Sequence, residues 1–227
     1  DTGDFDIAVI GLSGRYPGAS DIETYWDNLR SGKNSISEIP SDRWSWERYY
    51  DPTGGDGKSY SKWGGFIDDV SRFDADFFRI SGTEATDMDP QERLFIEEVW
   101  RLLENAGYGG TRLSEESNPV GVFVGAMYGT YGQLGALSWH SGHWNHAQSS
   151  YWLIANRVSQ YFKFRGPSMA IDTACSSSLT AIHQAMESLR RGESKVAIAG
   201  GVSLILDPRH HLRLSALHNL SKDDKTR

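Results

Sequence analysis

Four stretches of the chain are almost continuously apolar, and longer stretches between them carry apolar residues at intervals of three and four. Phe5–Gly11, Pro119–Gly125, the run from Ser168 and Lys195–Gly201 read as buried strands, the last continuing into Val202–Leu206. Helical spacing appears at Ile22, Tyr25, Trp26 and Leu29, and again at Leu94, Phe95, Val99, Leu102 and Leu103. Tyr151–Ser159 forms a further helix, and Leu179, Ile182, Met186 and Leu189 make one apolar stripe after the strand at Ser168. Punctuation agrees with these bounds. Ser20 or Asp21 caps the first helix and Gly32 ends it. Asp89, Pro90 and Glu92 make an approximate capping box before the second, and Gly107 follows it. Gly166-Pro167 turns the chain into the Ser168 strand, and Gly192 stops the helix that follows. Strands alternating with helices predict parallel pairing and α/β layers.

Two regions lack this regularity. From Asn34 to about Ile80 the chain is rich in aromatics, glycine and aspartate. A structureless loop of that length does not suit a compact domain, so the aromatics are expected to pin it down by burial. A stacking platform for sugar or single-stranded nucleic acid would need a matching basic or polar groove. From Ala126 to Gln148 glycine, tryptophan and tyrosine accompany His140, His143 and His146. Imidazoles three residues apart invite a metal, but Gly142 argues against a regular helix there, and no carboxylate or thiol stands nearby to complete a set. The expectation from spacing is no metal.

Composition narrows the classes. A chain of 227 residues, 38% hydrophobic and 23% charged, can bury a core. Its net charge of -7 argues against a nucleic-acid partner. No apolar run is long enough to cross a membrane. A single cysteine excludes an internal disulfide and fits a reducing compartment, and Asp1-Thr2-Gly3-Asp4 does not open a secretion signal, so the expected location is cytoplasmic. The loop Gly11–Gly18 lacks both the lysine of a P-loop and a dinucleotide fingerprint, so nucleotide binding is not expected.

The cysteine stands where a strand turns into a helix, in Asp172-Thr173-Ala174-Cys175-Ser176-Ser177-Ser178-Leu179. Free N–H groups and the positive end of the helix dipole favour an anion at such a place, which is how a fold activates a thiol. The plainer alternative is an inert, buried small residue.

This stretch resembles the active-site signature of the β-ketoacyl synthases, specifically the ketosynthase domains of modular polyketide synthases. Ile154–Ser159, Arg165–Ser168, Lys62–Phe66 and Phe73–Phe78 resemble other phrases of the same family. The resemblance implies a thiolase-like α/β fold, of which residues 1–227 are the first, cysteine-bearing half of an αβαβα layered domain. It implies that Cys175 holds an acyl chain as a thioester, delivered on the phosphopantetheine of an acyl carrier protein, with no cofactor bound by the chain itself. It also implies that His140, His143 and His146 are loop or pocket histidines. Decarboxylative Claisen condensation in this family also uses two histidines, in His-Gly-Thr-Gly-Thr and Asn-x-x-Gly-His motifs. Neither motif occurs here, so none of the seven histidines inherits a catalytic role, and His183 is expected to be a satisfied structural residue. The expected partners are therefore a carrier protein, a complementary C-terminal half and a second copy of the completed domain. A remnant that only transfers acyl groups, or only holds partners in place, is the alternative.

Overall fold

The structure is a computed structural model that describes residues 6–109, 113, 118–142 and 146–225. Along the chain run α1 (Ile22–Ser31), β1 (Ser37–Glu38), β2 (Trp63–Gly64), α2 (Gly82–Asp87) and α3 (Pro90–Asn105). They are followed by β3 (Val120–Gly125), α4 (Tyr131–His140), α5 (Tyr151–Phe162), β4 (Ser168–Ile171), α6 (Ser177–Arg190), β5 (Val196–Gly201) and α7 (Arg209–Ala216). Two compact units result: residues 1–13 with 70–203, and residues 14–69 with 204–227.

The first unit is built on a parallel sheet in the order β4-β3-β5. The strand β3 is buried throughout, and its two faces differ by design of the sequence Val-Gly-Val-Phe-Val-Gly. Val120, Val122 and Val124 join a core with Phe95, Ile96 and Val99 of α3 and Ile154, Ala155 and Val158 of α5. Each buried aliphatic side chain of this kind contributes roughly 1.5–3 kcal/mol. The opposite face offers Phe123 between two glycines, and there Ala181 and Ala185 of α6 pack. A Cβ on Gly121 would lie 2.5 Å from Oγ of Ser194, and one on Gly125 would lie 2.6 Å from the backbone nitrogen of Ser178. Glycine at position 125 is what lets the start of α6 approach β3 so closely, and glycine at 121 leaves room for Ser194 just beyond that helix.

Several expectations from the sequence are met here. The cap of α1 is Asp21, which accepts from the backbone N–H of Thr24, and Gly32 ends the helix at φ +66°. Asp89 caps α3 by accepting from Gln91. Others need correction. Residues 6–10 do not form a strand, and Val9 is 77% exposed. A strand exists only where a neighbour takes up its backbone groups. This segment instead runs past the end of α3, where the Leu12 N–H donates to Oδ1 of Asn105 at 3.2 Å and Gly11 lies against Leu102 and Ala106. β5 stops at Gly201 rather than continuing to Leu206. Glu92 does not complete a capping box. Its buried carboxylate turns to Arg157 of α5, 2.8 Å away, and Arg157 also holds Glu84 of α2 at 2.6 Å. Burial pushes the Glu92 carboxyl up, with Arg157 opposing.

The second unit has a short antiparallel pair, β1 with β2, and the helices α1 and α7. The aromatic-rich region divides as the expected pinning requires. Trp44 and Phe66 pack edge-on and stacked around His211 of α7 in this unit, while Phe73, Phe77 and Phe78 gather with Trp100 and Tyr161 in the first. His211 is 3% exposed, and its Nε2 donates to the Trp63 carbonyl at 3.1 Å. The carbonyl accepts only, so Nε2 carries a proton, while the buried Nδ1 has no hydrogen-bond partner among the described residues.

Burial pushes His211 below the ordinary histidine range, and burial with its neighbour His211 does the same to His210. In the unfolded chain both titrate near ~6.5. As pH falls below that value the unfolded chain binds protons that the folded chain refuses. Stability is therefore whole above pH ~6.5 and is lost towards the lowered folded values, at up to about 1.4 kcal/mol per pH unit for each histidine. Urea midpoints measured from neutral pH down to about pH 5 should fall more steeply for the native sequence than for His211→Gln. Equal slopes would show that His211 charges freely in the fold.

Candidate functional site

The end of β4 and the start of α6 enclose a sharp turn. Ile171, the last residue of β4, pairs with Gly125 at the end of β3. Ala174 then takes a left-handed conformation at φ +56°, followed by a tight 3-10 turn over Ala174–Ser176 and the first turn of α6. A residue with a Cβ is disfavoured there, so the conformation is held from outside. Oδ1 of Asp172 accepts from the Ala174 N–H at 3.0 Å. The Ser177 hydroxyl accepts from the Thr173 N–H at 3.0 Å and donates to the Ala174 carbonyl at 2.6 Å. Ser176 donates to the Thr173 carbonyl at 2.8 Å, and the hydroxyls of Thr173 and Thr180 meet at 3.0 Å. The outcome is an elbow that lifts Cys175 into solvent as a free, exposed thiol. Cys175 is therefore not a buried residue.

A second set of polar contacts steadies the segments that lead to the elbow. Asp89 is buried and receives the Ser149 hydroxyl at 2.6 Å as well as the Gln91 N–H. Burial raises its carboxyl, and those hydrogen bonds oppose the rise. Nε2 of Gln91 donates to the Tyr128 carbonyl at 2.7 Å, and Arg93 reaches the Tyr131 hydroxyl at 3.1 Å. At the start of α5, the Tyr151 hydroxyl donates to the Met127 carbonyl at 2.5 Å. Its phenol is pushed up by burial first and then by the charge of Asp172. The residues Asp89–Arg93 thus bind the chain after β3 and the entry to α5. A polar run opening an otherwise apolar helix was the available signal in the sequence, and a cap accounts for only one of its four polar side chains.

The histidines are scattered. His140 closes α4, a helix not expected from the sequence, with Nδ1 2.9 Å from the Ala136 carbonyl. The helix ends there and Gly142 follows at φ +81°, so it does not carry His146, which is exposed outside any helix. His143 lies outside the described residues. Among the described residues no cluster of three or more histidine, cysteine, aspartate or glutamate side chains is placed to hold a metal. His183 is exposed on α6 rather than packed, because the face of that helix turned to the sheet is Ser177, Ala181, Ala185 and Ser188. The apolar stripe read from the sequence lies off that face: Leu179 is 73% exposed and Ile182 44% exposed, while Met186 and Leu189 are half-buried. Close approach to β3 demands small residues, so the larger ones face away. No described helix is long and apolar enough to cross a membrane.

A strand-turn-helix elbow that presents a lone cysteine on a parallel α/β sheet matches a known family. The description "Beta-ketoacyl synthase, N-terminal domain" covers residues 4–227, and the chain belongs to that family. Polyketide synthase PksM of Bacillus subtilis is 50% identical over 220 residues, which is 96% of this chain and 5% of that protein. Polyketide synthase ThaG of Burkholderia thailandensis is 50% identical over 210 residues, 92% of this chain and 4% of that protein. Among solved structures, the oxazolomycin ketosynthase domain OzmH KS7 of Streptomyces albus superposes with a TM-score of 0.87 at 47% identity, over 92% of this chain and 36% of that one. The ketosynthase from module 6 of the bacillaene synthase of Bacillus subtilis gives a TM-score of 0.85 at 39% identity, over 95% of this chain and 35% of that one. The fold is thiolase-like α/β, and the chain spans about a third of the length of the ketosynthase chains it matches.

Proposed function

We propose that this chain is the nucleophile-bearing half of a polyketide synthase ketosynthase, and that Cys175 accepts an acyl chain from an acyl carrier protein. The observation that carries the reading is the exposed thiol held at the elbow between β4 and α6, in a chain of this family. The Cys175 thiol gives up its proton and attacks the carbonyl of the acyl thioester as thiolate; the bond from that carbonyl to the phosphopantetheine sulfur breaks, and the departing thiolate takes up a proton. The oxyanion formed in between needs donors, and the Cys175 N–H at the start of the helix is one candidate. Condensation then joins the acyl group to the carbanion released by decarboxylation of a malonyl-type extender, using two histidines from a C-terminal half. The uncovered Leu179 and Ile182 on α6 support such a half, since a helix stripe of that kind is costly to leave in water. A dimer of the completed domain follows from the same family reading.

Incubating the complete polypeptide with an acyl-loaded carrier protein should place the acyl mass on the tryptic peptide 166–190, which contains Cys175. Extender-dependent carbon dioxide release should require the C-terminal half as well. Acyl loading without condensation in the completed domain would leave an acyl-transfer role, and no loading at all would leave a scaffold for carrier and dimer partners.

A further inference from the structure

We propose that Ser177 is a positioning residue for Cys175, holding the elbow in the conformation that presents the thiol. The role rests on the reading of Cys175 as nucleophile, but the geometry stands apart from it. A hydroxyl has one proton to give, and Ser177 gives it to the Ala174 carbonyl while its oxygen accepts from the Thr173 N–H. One side chain thereby ties the peptide group that precedes Thr173 to the one that follows the strained Ala174. Asp172 secures only the N–H between them, and from an exposed position.

Ser177 is also the elbow residue best anchored to the sheet. It is 5% exposed, and a Cβ on Gly125 would fall 2.7 Å from its carbonyl carbon and 2.9 Å from its oxygen. Its backbone is therefore pressed on the end of β3, and its hydroxyl passes that fixed position on to the turn. Without it, nothing inherent to Ala174 keeps φ at +56°. The turn relaxes, and the sulfur moves relative to the start of α6.

The test measures alkylation of Cys175 by iodoacetamide, which needs a presented thiol and no acyl-transfer activity. Acylation by a small acyl thioester serves as the second readout. Ser177→Ala should slow both by about tenfold, with the half-saturating thioester concentration unchanged, because misplacement acts on the reacting geometry. Ser188→Ala is the control. That side chain is equally buried on the same helix and bonded to the Ser194 hydroxyl at 2.8 Å, so its loss should leave both rates within about twofold. Adding Ala174→Gly to Ser177→Ala should recover most of the rate, since glycine adopts positive φ without a steric cost. The proposal is overturned if Ser177→Ala reacts like the native protein, or if Ser188→Ala loses as much. If Ser177→Ala fails to fold, the double variant decides: regained fold and rate support the proposal, and failure to regain them overturns it. A native Cys175 that alkylates but is never acylated would refute the nucleophile reading alone.

Discussion

Replacing Cys175 with alanine is expected to bring acyl loading down to background, a loss on the order of 10³-fold or more. The step is covalent, and Cys175 is the only cysteine of the chain, so no other thiol can take over the thioester. The fold should hardly notice. The side chain is exposed and makes no packing contact whose loss would leave a cavity, which limits the stability change to about 0.5 kcal/mol. Intact mass after incubation with an acyl-loaded carrier reads the first effect, and a thermal unfolding curve reads the second. Loading at the native rate in Cys175→Ala would place the acyl group elsewhere and end the nucleophile reading. Loss of both loading and fold would instead show that the elbow depends on the thiol for its structure.

The second large effect comes from Gly125→Val. Its Cβ would lie 2.6 Å from the Ser178 nitrogen and 2.7 Å from the Ser177 carbonyl carbon. Both are backbone atoms in the first turn of α6, and a flexible side chain is not available to give way. β3 cannot move aside either, because β4 and β5 bind its two edges. The helix start must shift, at a cost of about 3 kcal/mol. That corresponds to a fall of about 10 °C in the unfolding midpoint for a chain of this size. Because the same turn carries the elbow, acylation of Cys175 should drop by up to about 100-fold even at temperatures where the variant is folded. Gly32→Ala makes the comparison: that glycine also matters to its helix end, but no atom lies within 4 Å of its Cβ position, so it should leave acylation untouched. A Gly125→Val variant with native stability would mean that α6 does not rest on β3 as closely as described.

The buried polar run Asp89–Arg93 shows where local reading stops. Its sequence has the form of a helix start, and Asp89 does cap α3. Glu92 reaches Arg157 and Gln91 reaches Tyr128, and Arg93 adds Tyr131 to its bonds to the nearby Met88 and Thr86 carbonyls; no spacing rule connects the distant partners. Glu92 reads as part of a capping box in the sequence and is a buried ion-pair partner in the fold. α4 was missed for a related reason. Its glycines and aromatics have poor helical propensity, and it is fixed by contacts from elsewhere, such as the Tyr131 hydroxyl to the Thr86 carbonyl and the Gly132 N–H to Ser149.

The sequence by itself determined the strand-turn-helix unit around Cys175, the strands β3 and β5, the helices α1, α3 and α5, the caps Asp21 and Asp89, and membership of the β-ketoacyl synthases. These follow from side-chain period, capping chemistry and an unbroken motif, all of which are local in the chain. Only the tertiary structure decided that residues 6–10 are not a strand, that Ala174 is strained and tied by Ser177, and that α6 turns Ala181 and Ala185 to the sheet and leaves Leu179 and Ile182 open. The physical reason is the same in each case. Periodicity tells which residues share a face, but which face is buried depends on how near a neighbour can come: Gly125 lets the backbone of α6 close on β3, and the side chains that α6 then packs beside Phe123 are the small Ala181 and Ala185.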